Sequence, residues 1–167
     1  MKEIYLAGGC FWGMQKYFDR VTGVIDTEVG FANGNMMHPS YMEVCTGKTG
    51  FAEVVRVSYN ENILPLSSVL DLFFKAIDPT LLNRQGNDVG TQYRSGIYYT
   101  LAEDGDEALD FVRALQQDYT RPVVTEISPL RNYYPAEEYH QHYLEKNPSG
   151  YCHIGREASI YAGEYRV

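Results

Sequence analysis

The sequence predicts a single α+β domain: a two-layer sandwich with a mixed β-sheet and an irregular C-terminal coil. Three observations lead there. Segments with period-two alternation take turns with segments at helical spacing, so strands and helices interleave along the chain. None of the strand segments is a long Val/Ile run of the kind a sheet covered on both faces requires, which makes a doubly wound parallel sheet the second choice. The 167 residues, 44% of them hydrophobic, suit one domain spanning 1–167, with no linker, repeat or low-complexity segment to divide it.

Lys2 to Ala7 is a short strand that runs into Gly8-Gly9. From Cys10 to Val21, the residues Phe11, Met14, Phe18 and Val21 recur at helical spacing, and Gly23 supplies a stop. Thr22 to Phe31 is a strand before a turn at Asn33-Gly34, and residues 35–51 are loop-like, with Pro39, Gly47 and Gly50. Ala52 to Tyr59 is the clearest strand, since Val55, Val57 and Tyr59 share one face. Val69, Leu72, Phe73, Ala76 and Ile77 make an amphipathic helix, capped by Ser67 or Ser68 and ended by Asp78 because Pro79 follows.

Thr80 to Arg94 is polar, rich in Asn and Gly, and long for a loop; segments of that length inside a compact domain are usually functional or disordered. Ser95 to Thr100 is a strand, followed by a helix with Ala108, Phe111, Val112, Leu115 and Tyr119 on one face. Pro122 to Ser128 gives another strand and Pro135 to Lys146 a helix with Pro at its start. From Asn147 onward, Pro148, Gly150, Gly155 and Gly163 read as coil.

The formal charge of −8 excludes a nucleic-acid partner, which needs a basic patch, and no apolar stretch approaches the length of a membrane span. Met1-Lys2-Glu3-Ile4-Tyr5-Leu6 gives way to Gly8-Gly9-Cys10 too soon for a secretory signal, so the chain is expected to be cytoplasmic, and a monomer. The 15 tyrosines suit half-buried walls and pockets, although tyrosines spread over sheet faces account for most of them. The three cysteines, Cys10, Cys45 and Cys152, form neither a disulfide scaffold nor a zinc-ligand spacing, so each is either an inert core residue or a chemical one.

Cys10 has the strongest physical case for chemistry. It follows a strand and two glycines and opens a helix, where unsatisfied N–H groups and the helix dipole favour a thiolate and lower its pKa. Gly8, Gly9 and Gly13 leave room for a substrate or backbone to come close, and Phe11 and Trp12 place two aromatic surfaces beside the sulfur. The alternative is a buried cysteine packed at a strand–helix corner. Glu53 heads the row Glu53, Val55, Val57, Tyr59, so strict alternation turns its carboxyl toward the apolar face, where it would hold its proton and could donate it. Taken alone, a frayed strand edge with Glu53 facing water is the better account of that residue. Glu137 and His140 have the E-x-x-H spacing of di-metal sites, but no second copy exists, and no metal is expected. Residues 83–94 offer Asp88 and Tyr93 on a shaped loop, with a solvated connection as the alternative; a P-loop is excluded for want of a Lys-Ser/Thr after the second glycine.

The string G-C-F-W-G at residues 9–13 resembles the active-site motif of the A-class peptide methionine sulfoxide reductases. The resemblance runs through nearly the whole chain, in Pro39-Ser40-Tyr41, Val44-Cys45-Thr46-Gly47, Glu53-Val54-Val55, Asp78-Pro79-Thr80, residues 83–95, residues 134–141, Asn147-Pro148 and Gly150-Tyr151-Cys152. It implies that Cys10 attacks the substrate sulfur and that Glu53 protonates the sulfoxide oxygen, helped by Tyr41 and Tyr93. Phe11, Trp12 and Tyr151 are implied to receive the substrate methyl group, Asp88 to hold the substrate backbone amide, and Cys152 to resolve the Cys10 sulfenic acid as a disulfide. The implied substrate is the S epimer of methionine sulfoxide in oxidised proteins or peptides, or free. Thioredoxin is the implied external reductant, and no bound cofactor is called for. Two departures stand out: Phe51 replaces a histidine common in the family, and no cysteine follows Cys152 to relay the disulfide. A thiol peroxidase would also cycle Cys10 through sulfenic acid but needs no apolar pocket, and a methionine-binding module would need the pocket but not the thiol.

Overall fold

Residues 1–167 are described by a computed structural model. In chain order, β1 (Lys2–Gly8) leads into α1 (Phe11–Asp19), β2 (Val24–Ala32) into α2 (Tyr41–Cys45), and β3 (Ala52–Tyr59) into α3 (Leu66–Ala76). A small hairpin, β4 (Arg84–Gln85) with β5 (Asp88–Val89), precedes β6 (Ser95–Tyr99) and α4 (Ala102–Leu115). The chain closes with β7 (Glu126–Pro129), β8 (Tyr133–Pro135), α5 (Tyr143–Lys146) and α6 (Arg156–Glu164).

Six strands form one mixed sheet in the order β7-β6-β1-β3-β2-β8. Only β6 and β7 run parallel, joined by the α4 crossover; the remaining neighbours are antiparallel. Alternation sorts the side chains as the sequence predicts. Ile4, Leu6, Val29, Phe31, Val55, Val57, Tyr59 and Ile97 point to one face, where α1, α3 and α4 cover them in the main core and α6 packs against α1 and α3. Tyr5, Ala7, Ala32, Ala52, Val54 and Tyr98 form a thin second cluster on the other face. That face carries no helix; Arg56 crosses it to Glu3, Asp26 and Glu28, and the Tyr5 and Tyr133 rings meet edge-on at 4.9 Å. The architecture is therefore a two-layer α+β sandwich. No helix is long and apolar enough to cross a membrane.

Four local expectations need correction. The loop at 35–51 contains α2, whose Ser40 cap is a full capping box: the Glu43 N–H donates to Ser40 Oγ at 3.2 Å and the Ser40 N–H to Glu43 Oε1 at 2.9 Å. The α3 cap is Pro65, not Ser67 or Ser68; its carbonyl accepts the N–H groups of Ser68 and Val69, and Ser68 is buried within the first turn. The helix expected over Pro135 to Lys146 is instead the end of β8, a 3-10 turn at Glu138–His140 and the four-residue α5, with His142 left-handed between them. Gln141 explains the break, because its amide clamps both the N–H and the C=O of Val29 at the sheet edge, at 3.0 and 2.8 Å, and a continuing helix would pull it away. The C-terminal coil is irregular through Gly155, after which α6 forms. Only Ala162 of that helix is fully buried, so its apolar stripe is too faint to register as periodicity.

Candidate active site

Cys10 caps α1, directly after the turn that β1 makes at Gly9, whose φ of +88° suits only glycine. Its thiol is 9% exposed and free. The helix-start N–H groups of Trp12 and Gly13 point at the sulfur and favour a thiolate, as position in sequence suggests. They are outweighed. Burial and the neighbouring Glu53 carboxyl together push the thiol well above the usual cysteine range, so the expected lowering of the Cys10 pKa is overturned in the resting protein.

Glu53 sits in β3 opposite Phe31 of β2, and it is 1% exposed. Alternation holds to the strand's end, and the water-facing alternative fails. Its Oε1 accepts the Phe11 N–H at 3.1 Å, while Oε2 is buried without a partner. Burial raises the carboxyl to about 8, against the opposing pull of the Phe11 N–H and with a smaller push from Asp88. At neutral pH this group is a carboxylic acid with a proton on an otherwise unengaged oxygen. Phe51 is fully buried, packed on Gly34 and edge-on to Tyr134, so no polar partner comes to Glu53 from that position.

Tyr41, the first residue of α2, and Tyr93, at the end of a 3-10 turn over Thr91–Tyr93, bring two hydroxyls to the same place. Burial first and Glu53 second raise both, so both hydroxyls remain protonated donors. Tyr93 is held by Arg94, which bonds the carbonyls of Thr91 and Gly50 and the Glu126 carboxylate, tying this turn to the start of β3. The Cys45 thiol lies at the outer edge of the group beside the Tyr41 hydroxyl.

An aromatic wall closes the other side. The Phe11 ring is 6.3 Å from Tyr41 and 5.4 Å from His140. Trp12 stacks on Tyr143 at 3.8 Å, and its indole N–H donates to His140 Nδ1 at 3.0 Å. His140 is 2% exposed, and burial lowers its pKa, so it is a neutral ring with Nδ1 as the acceptor. Sequence spacing marks His140 only as half of an E-x-x-H pair; both halves are engaged here, since Glu137 accepts the Tyr41 N–H at 3.4 Å. Nothing in residue spacing identifies His140 or Tyr143 as wall residues, because their contacts to α1 and α2 span about a hundred positions or more.

The segment at 80–94 is an ordered loop built on the β4–β5 hairpin, anchored by Gln85 to both backbone groups of Asp78. It presents Asp88, half-buried, with Oδ2 unpartnered and its pKa raised by burial. The C-terminal coil lies across this hairpin and the start of α1. Tyr151 accepts the Asn87 N–H at 3.3 Å and stands beside Asp88, while His153 reaches the Gly8 carbonyl at 2.7 Å. The room left by the glycines is thus taken by this protein's own chain: a Cβ on Gly9 would stand 2.7 Å from Gln85, and one on Gly13 would stand 3.1 Å from Cys152 Sγ. Cys10, Glu53, Tyr41, Tyr93, Asp88, Phe11, Trp12 and Cys152 therefore converge on the N-terminal end of α1. Tyr151 stands on the β4–β5 hairpin beside Asn87 and Asp88.

The family model described as peptide methionine sulfoxide reductase matches residues 2–163. The peptide methionine sulfoxide reductase MsrA of Clostridium perfringens is 56% identical over 154 residues, covering 92% of this chain and 98% of the relative. Among solved structures, reduced Mxr1 of Saccharomyces cerevisiae superposes with a TM-score of 0.87 at 43% identity, covering 91% of this chain and 88% of that one. The same yeast protein in complex with Trx2 superposes with a TM-score of 0.62 at 29% identity, covering 85% and 84%.

Proposed function

Because the chain belongs to the peptide methionine sulfoxide reductase family, oxidoreductases that reduce methionine sulfoxide, we propose that it takes the S epimer at sulfur and works through Cys10, Glu53 and Cys152. The observation that carries this reading is Glu53: a buried acid, held by the Phe11 N–H beside the nucleophile, with one oxygen free to give a proton.

A sulfoxide is polar at oxygen and electrophilic at sulfur once that oxygen is protonated. The substrate methyl group rests against Phe11 and Trp12, Asp88 accepts the N–H of the substrate residue, and Tyr41 and Tyr93 donate to the sulfoxide oxygen. Glu53 passes its proton to that oxygen as Cys10 attacks sulfur. The Cys10 thiol proton replaces the one Glu53 gave up, so no net charge is left in the buried site. The hydroxyl then moves from the substrate sulfur to the Cys10 sulfur as the bond between the two sulfurs breaks, so methionine leaves reduced and Cys10 is left as sulfenic acid. The resting protonation of both groups supports this coupling: neither is charged before substrate arrives, and a lone thiolate beside a lone carboxylate would be costly there.

Cys152 then condenses with the sulfenic acid to a disulfide, releasing water. The coil that carries Cys152 already lies on Gly13, which supports its role as the resolving thiol. Thioredoxin reduces that disulfide by direct exchange; the yeast relative crystallised with Trx2 supports this choice of reductant. The test is turnover of the separated R and S epimers of a methionine sulfoxide peptide, with dithiothreitol and then with thioredoxin. Reduction of S alone is expected. Cys152→Ser should turn over with dithiothreitol and stall with thioredoxin, and normal thioredoxin-driven turnover in that variant would remove its resolving role.

A further inference from the structure

His153 follows Cys152 in the C-terminal coil, and no step above uses it. Its Nε2 lies 2.7 Å from the Gly8 carbonyl oxygen. A carbonyl only accepts, so Nε2 carries the ring proton and Nδ1 presents a bare lone pair. That Nδ1 is buried and has no hydrogen-bond partner. A buried acceptor left unpaired costs stability and calls for an explanation. Here it lies near a reacting sulfur: the point where a Cβ on Gly13 would stand is 3.1 Å from His153 Nδ1 and 3.1 Å from Cys152 Sγ. The two thus face the same spot on the helix start, with the Cys152 thiol resting toward the Ile154 carbonyl at 3.9 Å. Only a glycine at 13 lets both approach the helix start.

We propose that His153 is the general base of the resolving step, taking the Cys152 thiol proton as Cys152 closes on the Cys10 sulfenic acid. The inference rests on Cys152 being the resolving thiol. The Cys152 S–H bond breaks, its proton goes to Nδ1, and the sulfur electron pair forms the bond to Cys10 sulfur. The S–O bond breaks with its pair on oxygen, and the departing hydroxide takes the proton from Nδ1 and leaves as water. Cys152 is oxidised to the disulfide level and the Cys10 sulfur is reduced to it, so no further redox partner is needed.

The surroundings suit a neutral base. The groups beside the ring are Asp88 from β5, Gln85 from β4, the Gly8 carbonyl at the end of β1, and Tyr151 and Cys152 on its own coil. Burial lowers the imidazole pKa, and the Gly8 carbonyl and Asp88 oppose it without reversing it. The ring is therefore unprotonated, and able to accept, across neutral pH.

The experiment separates the two halves of the cycle. Reduced protein is mixed with one equivalent of a methionine S-sulfoxide peptide and quenched over time, and released methionine and remaining thiols are counted from about pH 6 to about pH 8.5, the span over which an imidazole can change state. His153→Gln keeps a side-chain N–H for the Gly8 carbonyl and loses the base. Its methionine release should match the wild type, while its disulfide formation should slow on the order of 10²-fold. That slow rate should also climb with pH, because hydroxide must take the proton in place of the imidazole, where the wild-type rate is flat. In His153→Ala, added imidazole should restore part of the rate. An unchanged rate with a flat profile in His153→Gln would overturn the proposal, as would slowed methionine release. Cys152→Ser isolates the premise: if it still loses two thiols per methionine, the resolving assignment is wrong whatever His153 does.

Discussion

Glu53 Oε1 and the Phe11 amide nitrogen lie 3.1 Å apart, and through that bond the acid on β3 is fixed one residue from Cys10 on the cap of α1. The bond uses one oxygen and leaves the other bare in a buried site. It also sets strand and helix at a fixed separation, which is what a proton donor and a nucleophile acting on one substrate require.

Glu53→Gln should therefore do two opposite things. Release of methionine in a single turnover should fall on the order of 10²-fold or more, since the amide has no transferable proton. Stability at neutral pH should rise. The folded chain keeps the Glu53 proton up to about 8, whereas the unfolded chain gives it up above the ordinary 4.5. The wild type accordingly loses stability as pH climbs through that window, at roughly 1.4 kcal/mol for each unit of difference, and the glutamine does not. Urea midpoints at pH near 5 and near 8 check this; a variant less stable than the wild type at the upper pH would contradict it.

The same group sets the pH dependence of the first chemical step. Methionine release by the wild type should be level below about 8 and fall as Glu53 loses its proton above that value. The Cys10 thiol, raised still further, does not ionise within that range to compensate. A release rate that climbs steadily with pH would mean that thiolate formation, not proton donation, limits the step.

His140 positions Trp12 through its Nδ1, and Trp12 is the only tryptophan in the chain. His140→Phe keeps an aromatic ring against Phe11 and Tyr41 and removes the acceptor. The loss of one neutral hydrogen bond should raise KM about 2- to 10-fold, with a smaller change in kcat, and shift the Trp12 fluorescence emission. An unmoved emission spectrum would show that the indole does not depend on that bond.

Cys45 is exposed and free, at the edge of the site beside Tyr41. Burial by its neighbours outweighs the Tyr41 hydroxyl and keeps its pKa raised, so it is a poor nucleophile. Thiol counting after one equivalent of substrate should leave Cys45 free, and Cys45→Ser should retain turnover within about twofold, as surface changes outside the chemistry usually do. Recovery of Cys45 in a disulfide would overturn its spectator role.

How much of this was legible in the sequence depends on the range over which each feature is determined. Alternation along β3 sets Val55, Val57 and Tyr59 on the core face, a period of two being local to the strand. For Glu53 at the strand's start it leaves a frayed, water-facing edge the better account, and only the fold shows the carboxyl buried. The glycines before Cys10 mark the strand-to-helix corner, again a local signal. The Ser40-to-Glu43 capping box is present in the residues, but a five-residue helix offers no periodicity to set it apart from loop. The raised Cys10 thiol was out of reach, since position at a helix start predicts a lowering and only the fold reveals the burial and the Glu53 carboxyl that outweigh it. His140, Tyr143 and His153 act through contacts to α1, α2 and β1 that depend on the whole topology, and family resemblance, not spacing, was what singled out Cys152.

The most direct test of the central claim is a single turnover by Cys152→Ser, in which the cycle halts after its first half. With the S epimer of a methionine sulfoxide peptide, one methionine should form per chain, and a sulfenic-acid trap should label Cys10 and neither Cys45 nor any other residue. The R epimer should give none, and Cys10→Ser in the same background should give none with either. Methionine formed without label on Cys10, or equally from both epimers, would contradict the account.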